Sequence, residues 1–413
     1  MHLVVSWPRL GPYHLARLRA THALFAERGG SVTALETART DRYAWREERG
    51  REPFERLTLF ENAPFESLDP ADVHRRVTAA LDRLRPDAVA ITSYSYPDAR
   101  ACLAWCRRHR KPAVLMSASR AEDGERAGWR EWIKRQIVQA YDTALVGGAP
   151  QQRYVQALGI PESRTFFPAN AVDNAFYAAG AEAARADKPE AARQVGLDEA
   201  GPFFLAVGRL LAIKNVDGLL HAYAAYREAA ADPWPLVIVG DGPEREALER
   251  LGARLGLAEA VTFAGFQQRD TLPIYYGLAG AFVHPSHKDT WGLVVNEAMA
   301  TGLPVVVSRQ SGCAEDLVLD GETGFSFDST DLEALAARLV RIASPECDRA
   351  ALGARARHLI EDWSPERFAD GMWKAAHAGL ATADRPMPPI AAALLRTLRF
   401  VARTPRAFHS IPE

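Results

Sequence analysis

Two carboxylates flank a predicted loop-helix junction in the C-terminal half of the chain. The run AFVHPSHKDTWGLVVNEAMATGLPVVV, residues 281–307, predicts a strand, a polar loop, a helix and a second strand, with Asp289 and Glu297 eight residues apart. A helical Glu297 would lean back toward the loop, where its carboxylate could accept hydrogen bonds from a vicinal diol such as a ribose. The spacing alone also leaves open a general acid/base couple, or an amphipathic helix with one solvated Glu and a loop Asp.

The backbone between these two carboxylates favours an anion. Trp291-Gly292-Leu293-Val294 leads from the loop into the first turn of the predicted helix. The N–H groups of a first turn have no partner within the helix, and the helix dipole is positive there. The sequence therefore predicts that a phosphate and its neighbouring hydroxyls bind at this junction.

Two cations follow an earlier predicted strand. The run PFFLAVG ends at Gly208 and leads directly into Arg209 and Lys214, which precede a predicted helix. Arg supplies a planar fork for two oxygens and Lys a compact point charge, so the pair could hold a diphosphate and stabilise a leaving group without metal. Only six of the 50 basic residues are Lys, which makes each one more informative. The alternative is a surface loop with solvated cations.

Two further segments follow predicted strands in the same half. GDGPE, beginning at Gly240 and Asp241, would permit a tight turn and a close approach of the backbone to a ligand. Phe266, in the run FAGF, could meet a nucleotide base or belong to the core. The chain lacks GxGxxG, GxxxxGK[ST], Asp-x-Asp and paired His motifs, so the sequence indicates neither a nicotinamide site nor a P-loop, and we expect no metal and no cofactor.

The N-terminal half offers weaker candidates for an acceptor side. Gly11 and His14 follow the first predicted strand, and Ser117 and Glu122 follow the strand PAVLMS. His14 could hydrogen bond to an acceptor or a diphosphate, although a single His at a helix start is more often structural. An ordinary polar loop is the favoured interpretation of the segment that holds Ser117 and Glu122.

Composition places these residues in an ordinary globular protein. The chain has 413 residues, a formal net charge of −2 and 25% charged residues, which gives no electrostatic argument for nucleic acid as a partner. Its four Cys residues form neither a zinc spacing nor a disulfide framework, so we expect a reducing cytoplasm. No signal segment or membrane-spanning run is apparent.

Apolar runs of strand length alternate with helix-period segments through both halves of the chain. This pattern predicts an α/β protein made of two doubly wound parallel-sheet domains, with ligands at the carboxyl ends of the strands. We expect a Rossmann-like N-terminal domain at 1–177, a linker at 178–195 and a second Rossmann-like domain at 196–362. Residues 363–413 would form a final helix and a tail.

The motifs AVGRLLAIKN, IVGDGPE, VTFAGF, PSHKDTWGLVVNEAMATGLPVVVS and GETGF resemble, in order and spacing, the nucleotide-sugar-binding half of family 4 retaining glycosyltransferases of the GT-B fold. The resemblance covers about residues 202–327. NAVDNAFY at 170–177 resembles the family's segment at the exit of the acceptor domain, and the helices from Trp363 resemble its C-terminal crossover, which packs on the first domain.

The resemblance implies a retaining, metal-independent transfer of a sugar from a nucleoside diphosphate sugar, more often a UDP sugar than a GDP sugar, to an acceptor hydroxyl. It implies that Arg209 and Lys214 bind the diphosphate, that Glu297 binds the ribose and that Asp289 contacts the sugar near the reacting carbon. Asp289 departs from the family's Glu, and Trp291 stands where Phe is common. The other implied donor-binding positions are Gly11, Gly208, Gly240, Asp241, Phe266, Gly292, Leu293 and Val294.

Two other functions remain open at this point. A nucleotide-sugar epimerase of the same fold would change the donor without an acceptor, and a sugar-nucleotide-binding protein would not catalyse at all. The acceptor partner, a small molecule, a glycan or a lipid-linked molecule, is not identified by the sequence. The basic, apolar tail at 388–408 could dock on the first domain, which we favour, or rest on the inner face of an anionic membrane.

Overall fold

A computed structural model describes residues 1–41, 50, 52–124, 127–197 and 201–398. The strands are β1 (His2–Trp7), β2 (Ser31–Thr40), β3 (Glu55–Pro64), β4 (Ala88–Thr92), β5 (Ala113–Ser117), β6 (Thr143–Val146), β7 (Thr165–Phe166), β8 (Phe204–Val207), β9 (Leu236–Val239), β10 (Val261–Gly265), β11 (Ala281–His284), β12 (Val305–Ser308) and β13 (Gly324–Phe327).

The helices interleave with these strands. They are α1 (Pro12–Glu27), α2 (Pro70–Leu84), α3 (Pro97–His109), α4 (Gly128–Val138), α5 (Ala149–Ala157), α6 (Asn174–Ala186), α7 (Lys188–Gln194), α8 (Val216–Ala229), α9 (Arg245–Arg254), α10 (Leu272–Leu278), α11 (Leu293–Ala300), α12 (Ala314–Leu317), α13 (Leu332–Ala343), α14 (Arg349–Ile360), α15 (Pro365–Leu380) and α16 (Pro389–Leu398).

The chain forms two compact units, each built on one parallel sheet. Unit 1 comprises Met1–Ala171 and the chain from Pro365 onward, and unit 2 comprises Val172–Ser364. The sheet of unit 1 has the strand order β3-β2-β1-β4-β5-β6-β7, and that of unit 2 has the order β10-β9-β8-β11-β12-β13. The predicted pair of doubly wound parallel sheets is therefore confirmed.

Buried apolar strands explain why both sheets form. β4, β5, β6, β9, β11 and β12 are buried almost throughout, as expected for parallel strands with helices on both faces. In each sheet the strand that comes first in the chain lies in the interior of the sheet. The next two strands in the chain extend the sheet on one side of it, and the remaining strands extend it on the other side. The point where this direction reverses falls between β1 and β4 in unit 1 and between β8 and β11 in unit 2.

The predicted linker at 178–195 is wrong. Residues 178–186 belong to α6 and 188–194 to α7, and both helices lie in unit 2. The segment is rich in Ala, which favours helix, and its small side chains allow close packing instead of leaving the chain solvated. A Cβ on Gly277 of α10 would lie 2.7 Å from the carbonyl oxygen of Ala181. The division between the units falls at Ala171–Val172.

The C-terminal helices pack on unit 1. Phe368, Met372 and Ala375 of α15 are buried in the core that α1 and β1 share, and the Thr143 hydroxyl donates to the Ala375 carbonyl at 3.0 Å. Ala391 and Leu395 of α16 are buried in the other core of unit 1. Residues 399–408 of the predicted tail lie outside the described residues. Within the described chain, no helix is both long and apolar enough to cross a bilayer.

Candidate functional site

A pocket lies at the switch point of the unit 2 sheet, where β8 and β11 end side by side. In open parallel sheets this is the position at which ligands bind. The pocket is lined by Ala206, Val207, Gly208, Arg209, Leu210, Lys214, Val216, Ile238, Val283, His284, Pro285 and Ser286. The structure thus brings the predicted cations Arg209 and Lys214 together around one pocket.

Asn215 fixes the loop that carries Lys214. Residues Ala212–Lys214 form one 3-10 turn, and Asn215 ends it in the left-handed conformation at φ 55°, which Asn tolerates better than most residues. The buried Asn215 side chain donates to the carbonyl oxygens of Pro285 and Ser329, each at 3.0 Å. The loop after β8 is therefore tied to the loop after β11, and Lys214 is held between them. The sequence analysis did not single out Asn215.

Gly240 and Gly242 bring one backbone close to another. Gly240 has φ 143°, and a Cβ there would lie 1.8 Å from the Gly208 carbonyl oxygen; a Cβ on Gly242 would lie 2.3 Å from that of Leu210. The sequence predicted that these glycines let the backbone approach a ligand. In the structure they let the loop after β9 approach the loop after β8, and so support Arg209.

Asp289 lies between Lys214 and a histidine that the sequence analysis missed. Its Oδ2 accepts from Lys214 Nζ at 2.5 Å and lies 3.2 Å from His284 Nε2, while its Oδ1 accepts from the Trp291 backbone N–H at 3.3 Å. Burial alone would raise the pKa of Asp289, but the charge of Lys214 and the hydrogen bond from His284 outweigh it and hold that pKa well below its usual range. Asp289 is therefore a carboxylate at neutral pH.

His284 ends β11 and is almost fully buried. Burial lowers its pKa below the ordinary value, although the charge and hydrogen bond of Asp289 oppose the shift, so the imidazole is neutral at neutral pH. A neutral ring with its proton on Nε2 donates to Asp289. Gly292 lies directly against this nitrogen, since a Cβ there would approach it to 3.2 Å.

Glu297 is fully buried rather than open to a ligand in this structure. Its Oε1 accepts from the Tyr177 hydroxyl at 2.9 Å, and its Oε2 accepts from the Tyr276 hydroxyl at 2.7 Å. Binding a ribose would require the diol to reach a carboxylate that is fully buried here. Tyr177 and Tyr276 were not among the predicted residues, because 120 and 21 positions separate them from Glu297.

The side chain of Trp291 is not among the residues that line the pocket. Its indole is 2% exposed, donates to Asn296 Oδ1 at 2.8 Å and stacks on Trp363 at 6.3 Å. Packing explains why a large aromatic residue stands at this position. Through the hydrogen bond to Asn296, the indole holds the loop against α11.

The helix start predicted to bind an anion is present. Gly292 precedes α11 at φ 100°, and α11 begins at Leu293 and continues through Val294. Glycine adopts this backbone conformation without strain. The backbone of Gly292 is the part of this turn that contacts His284, so the helix start and the Asp289–Lys214 pair are connected through one imidazole.

Asp241 and Phe266 lie at the ends of the neighbouring strands. Asp241 is exposed, and its carboxylate accepts from the Gly242 N–H at 2.7 Å. Phe266 is 40% exposed immediately after β10. The core interpretation of Phe266 is therefore wrong, and the phenyl ring is accessible to a base.

The acceptor-side candidates all lie in unit 1. His14 is in the first turn of α1, where its Nδ1 accepts from the Gly11 N–H at 3.0 Å. Burial, together with the charges of Arg17 and Arg9, lowers the pKa of His14 to about 3, so it is a neutral capping residue. Ser117 is buried at the end of β5, and Glu122 is exposed.

Comparison with known proteins finds similar sequences in the C-terminal half of the chain. Residues 187–359 match the model of the family "Glycosyl transferases group 1". A GDP-mannose-dependent alpha-(1-6)-phosphatidylinositol monomannoside mannosyltransferase of Mycolicibacterium smegmatis is 34% identical over 39% of this chain and 44% of its own length. A D-inositol 3-phosphate glycosyltransferase of Rhodococcus opacus is 31% identical over 63% of this chain and 58% of its own length.

Solved structures resemble nearly the whole chain. Sucrose-phosphate synthase from Thermosynechococcus elongatus has a TM-score of 0.71 at 20% identity, covering 92% of this chain and 99% of that one. Anabaena HepE in complex with UDP and glucose has a TM-score of 0.68 at 17% identity, covering 92% and 100%. The sequence matches span about half, or less, of the curated relatives. Residues 187–359 therefore match the model of the glycosyl transferases group 1 family, and the chain has the GT-B fold.

Proposed function

We propose that this protein is a retaining, metal-independent glycosyltransferase that moves a sugar from a nucleoside diphosphate sugar to an acceptor hydroxyl. The observation that carries the proposal is the switch-point pocket of the group 1 domain, lined by Arg209 and Lys214. Two cations at a preorganised site offset the charge that develops on a departing diphosphate. The Asp289 carboxylate keeps Lys214 in place while the pocket holds no donor.

The proposed reaction breaks the bond between the anomeric carbon and the β-phosphate oxygen. The acceptor oxygen forms its new bond on the same face of the sugar, and the acceptor proton moves to the departing phosphate oxygen. Arg209 and Lys214 stabilise the growing negative charge, and the backbone at the start of α11 adds dipoles that are already oriented. No separate general base is needed in this scheme, and His14 would be a weak one, since its pKa is lowered to about 3 and its Nδ1 already accepts from the Gly11 N–H.

We further propose a UDP sugar as the donor. HepE, which has a similar fold, is known in complex with UDP and glucose, whereas the name of one relative specifies GDP-mannose. The accessible ring of Phe266 is our candidate for contact with the base, and Glu297 our candidate for the ribose. Inositol-containing acceptors are the first to test because the names of two relatives include them.

Acceptor-dependent release of nucleoside diphosphate tests the proposal. The purified protein is incubated with UDP-glucose or GDP-mannose, with and without inositol 3-phosphate or phosphatidylinositol vesicles, in buffer containing EDTA. We expect release that requires both donor and acceptor and persists in EDTA, and a product with the donor's anomeric configuration by NMR. Donor conversion without acceptor would instead identify an epimerase, and binding without conversion a sugar-nucleotide-binding protein.

A further inference from the structure

We propose that His284 is a positioning residue that frees Lys214 for the donor's diphosphate by giving Asp289 a second hydrogen-bond donor. The inference rests on the proposed function, since it concerns how the same pocket accepts a nucleoside diphosphate. Nothing in the sequence motifs marks His284, which is the last residue of a buried strand. Its importance comes from what its ring touches.

Lys214 and His284 meet at one carboxylate oxygen, and both residues line the switch-point pocket. Both Lys214 Nζ and His284 Nε2 lie within hydrogen-bond distance of the same oxygen, Asp289 Oδ2, at 2.5 and 3.2 Å. The Lys214 side chain is 23% exposed, whereas that of His284 is only 5% exposed. Lys214 therefore presents much more of its side chain to a ligand than His284, whose Nε2 lies against Asp289.

The surroundings of His284 hold its ring in one orientation. The ring stacks nearly parallel to Phe282, at an interplanar angle of 13°. The Ser286 hydroxyl lies 3.2 Å from Nε2, and the Gly292 backbone covers the same edge of the ring. A side chain held this tightly offers its hydrogen bond without losing further conformational freedom.

The physical need for such a residue follows from the charge of Asp289. An arriving diphosphate competes with Asp289 for the Lys214 ammonium, and a carboxylate that loses its ion-pair partner in a largely buried position is strongly destabilised. The His284 N–H remains bonded to Asp289 during this exchange, so less free energy is lost when Lys214 turns to the phosphate. Because the imidazole is neutral, it achieves this without a further cation.

Substitutions that keep or remove the Nε2 donor test the inference. His284→Gln places an amide nitrogen near the position of Nε2, whereas His284→Met has a similar length and no donor. We expect the Met variant to bind UDP or GDP, whichever the wild type binds more tightly, about 10- to 100-fold more weakly by titration calorimetry. The Gln variant should bind within a few-fold of wild type. His221→Met, an exposed residue on α8, is the matched control.

Two outcomes are decisive, and they are distinct from failure of the proposed function. Equal nucleotide affinity in wild type, Gln and Met variants would overturn the role of His284, whereas a wild type that binds neither nucleotide would overturn the proposed function instead. If His284→Met does not fold, His284→Asn replaces it, because its shorter amide does not reach Asp289. In an Asp289→Asn background, removing His284 should cause no further loss of affinity, and an undiminished loss would also overturn the inference.

Discussion

Two aspartates withdrawn from water, Asp98 in unit 1 and Asp289 in unit 2, shift their pKa values in opposite directions. Burial raises the pKa of Asp98 to about 6, since the hydrogen bond from the Thr37 hydroxyl and the charge of Arg100 offset only part of the desolvation. Asp289 is also largely buried, with its side chain 16% exposed, yet Lys214 and His284 lower its pKa. The two environments differ in that burial dominates around Asp98, whereas a cation and a hydrogen-bond donor dominate around Asp289.

The two carboxylates also occupy different places beside comparable sheets. Asp98 lies in the first turn of α3, just beyond β4, which adjoins β1 at the switch point of unit 1. It is 2% exposed, and its Oδ2 accepts from the Thr37 hydroxyl at 2.8 Å. Asp289 lies beside the switch-point pocket of unit 2 and is paired on both oxygens. Comparable positions in the two sheets thus hold a carboxylate paired with Lys214 in unit 2 and one buried beside Thr37 and Arg100 in unit 1.

The largest expected effect is that of Lys214→Ala on turnover. Removing this ammonium deletes one stabiliser of the diphosphate and leaves Asp289 without its opposing charge, so kcat/KM should fall about 10²- to 10³-fold. The measurement is acceptor-dependent release of nucleoside diphosphate. Lys188→Ala, an exposed Lys at the start of α7, is the control and should retain wild-type activity. If the kcat/KM of Lys214→Ala were unchanged, the claim that the Asp289–Lys214 pair serves the reaction would be wrong.

The pH dependence of stability should distinguish the two aspartates. The folded pKa of Asp98 is raised from 3.8 to about 6, so the protein loses stability as pH rises through this interval. Asp98→Asn should therefore raise the free energy of unfolding at pH 7 by about 1–3 kcal/mol and flatten this dependence in urea unfolding. The variant leaves the neighbouring side chains in place.

Asp289→Asn is the matched variant, and it should change the free energy of unfolding at pH 7 in the opposite direction. The folded pKa of Asp289 is lowered, so its contribution to stability is present at neutral pH and is lost as pH falls below its ordinary value. We expect Asp289→Asn to destabilise the protein at pH 7. Changes of the same sign in the two variants would contradict the assignment of opposite environments.

A smaller effect is expected from Tyr177→Phe. This change removes one of the two phenol donors to the buried Glu297 carboxylate, which should lower the free energy of unfolding by about 1–2 kcal/mol. Tyr275→Phe is the control, because its hydroxyl makes only a long 3.4 Å contact with a carbonyl oxygen. Equal melting temperatures for the two variants would mean that Tyr177 does not stabilise Glu297.

Much of the fold could be predicted from alternating apolar runs, because strands buried on both faces have a distinctive composition. β3 was not predicted, since ERLTLFENAP lies at the sheet edge and is largely exposed or half-buried. The segment at 178–195 was predicted to be a linker because its side chains are small, yet small side chains are also what close helix packing requires. Composition does not distinguish these two uses.

The candidate site was predictable only where its residues follow strands or lie near one another in the chain. Arg209 follows β8 directly, and Asp289 and Glu297 lie on either side of the start of α11, so local pattern was sufficient to single them out. The Lys214–Asp289 pair joins residues 75 positions apart, and His284 reads as one more residue of an apolar strand. Tertiary contacts of this kind leave no local signal.

A titration that compares UDP with UMP tests the central claim most directly, namely that Lys214 and Arg209 hold the diphosphate at the switch-point pocket of unit 2. GDP and GMP form the parallel pair. For the preferred base, the wild type should bind the diphosphate much more tightly than the monophosphate, and Lys214→Ala should abolish most of that difference while binding the monophosphate nearly unchanged. An undiminished preference for the diphosphate in Lys214→Ala would contradict the account.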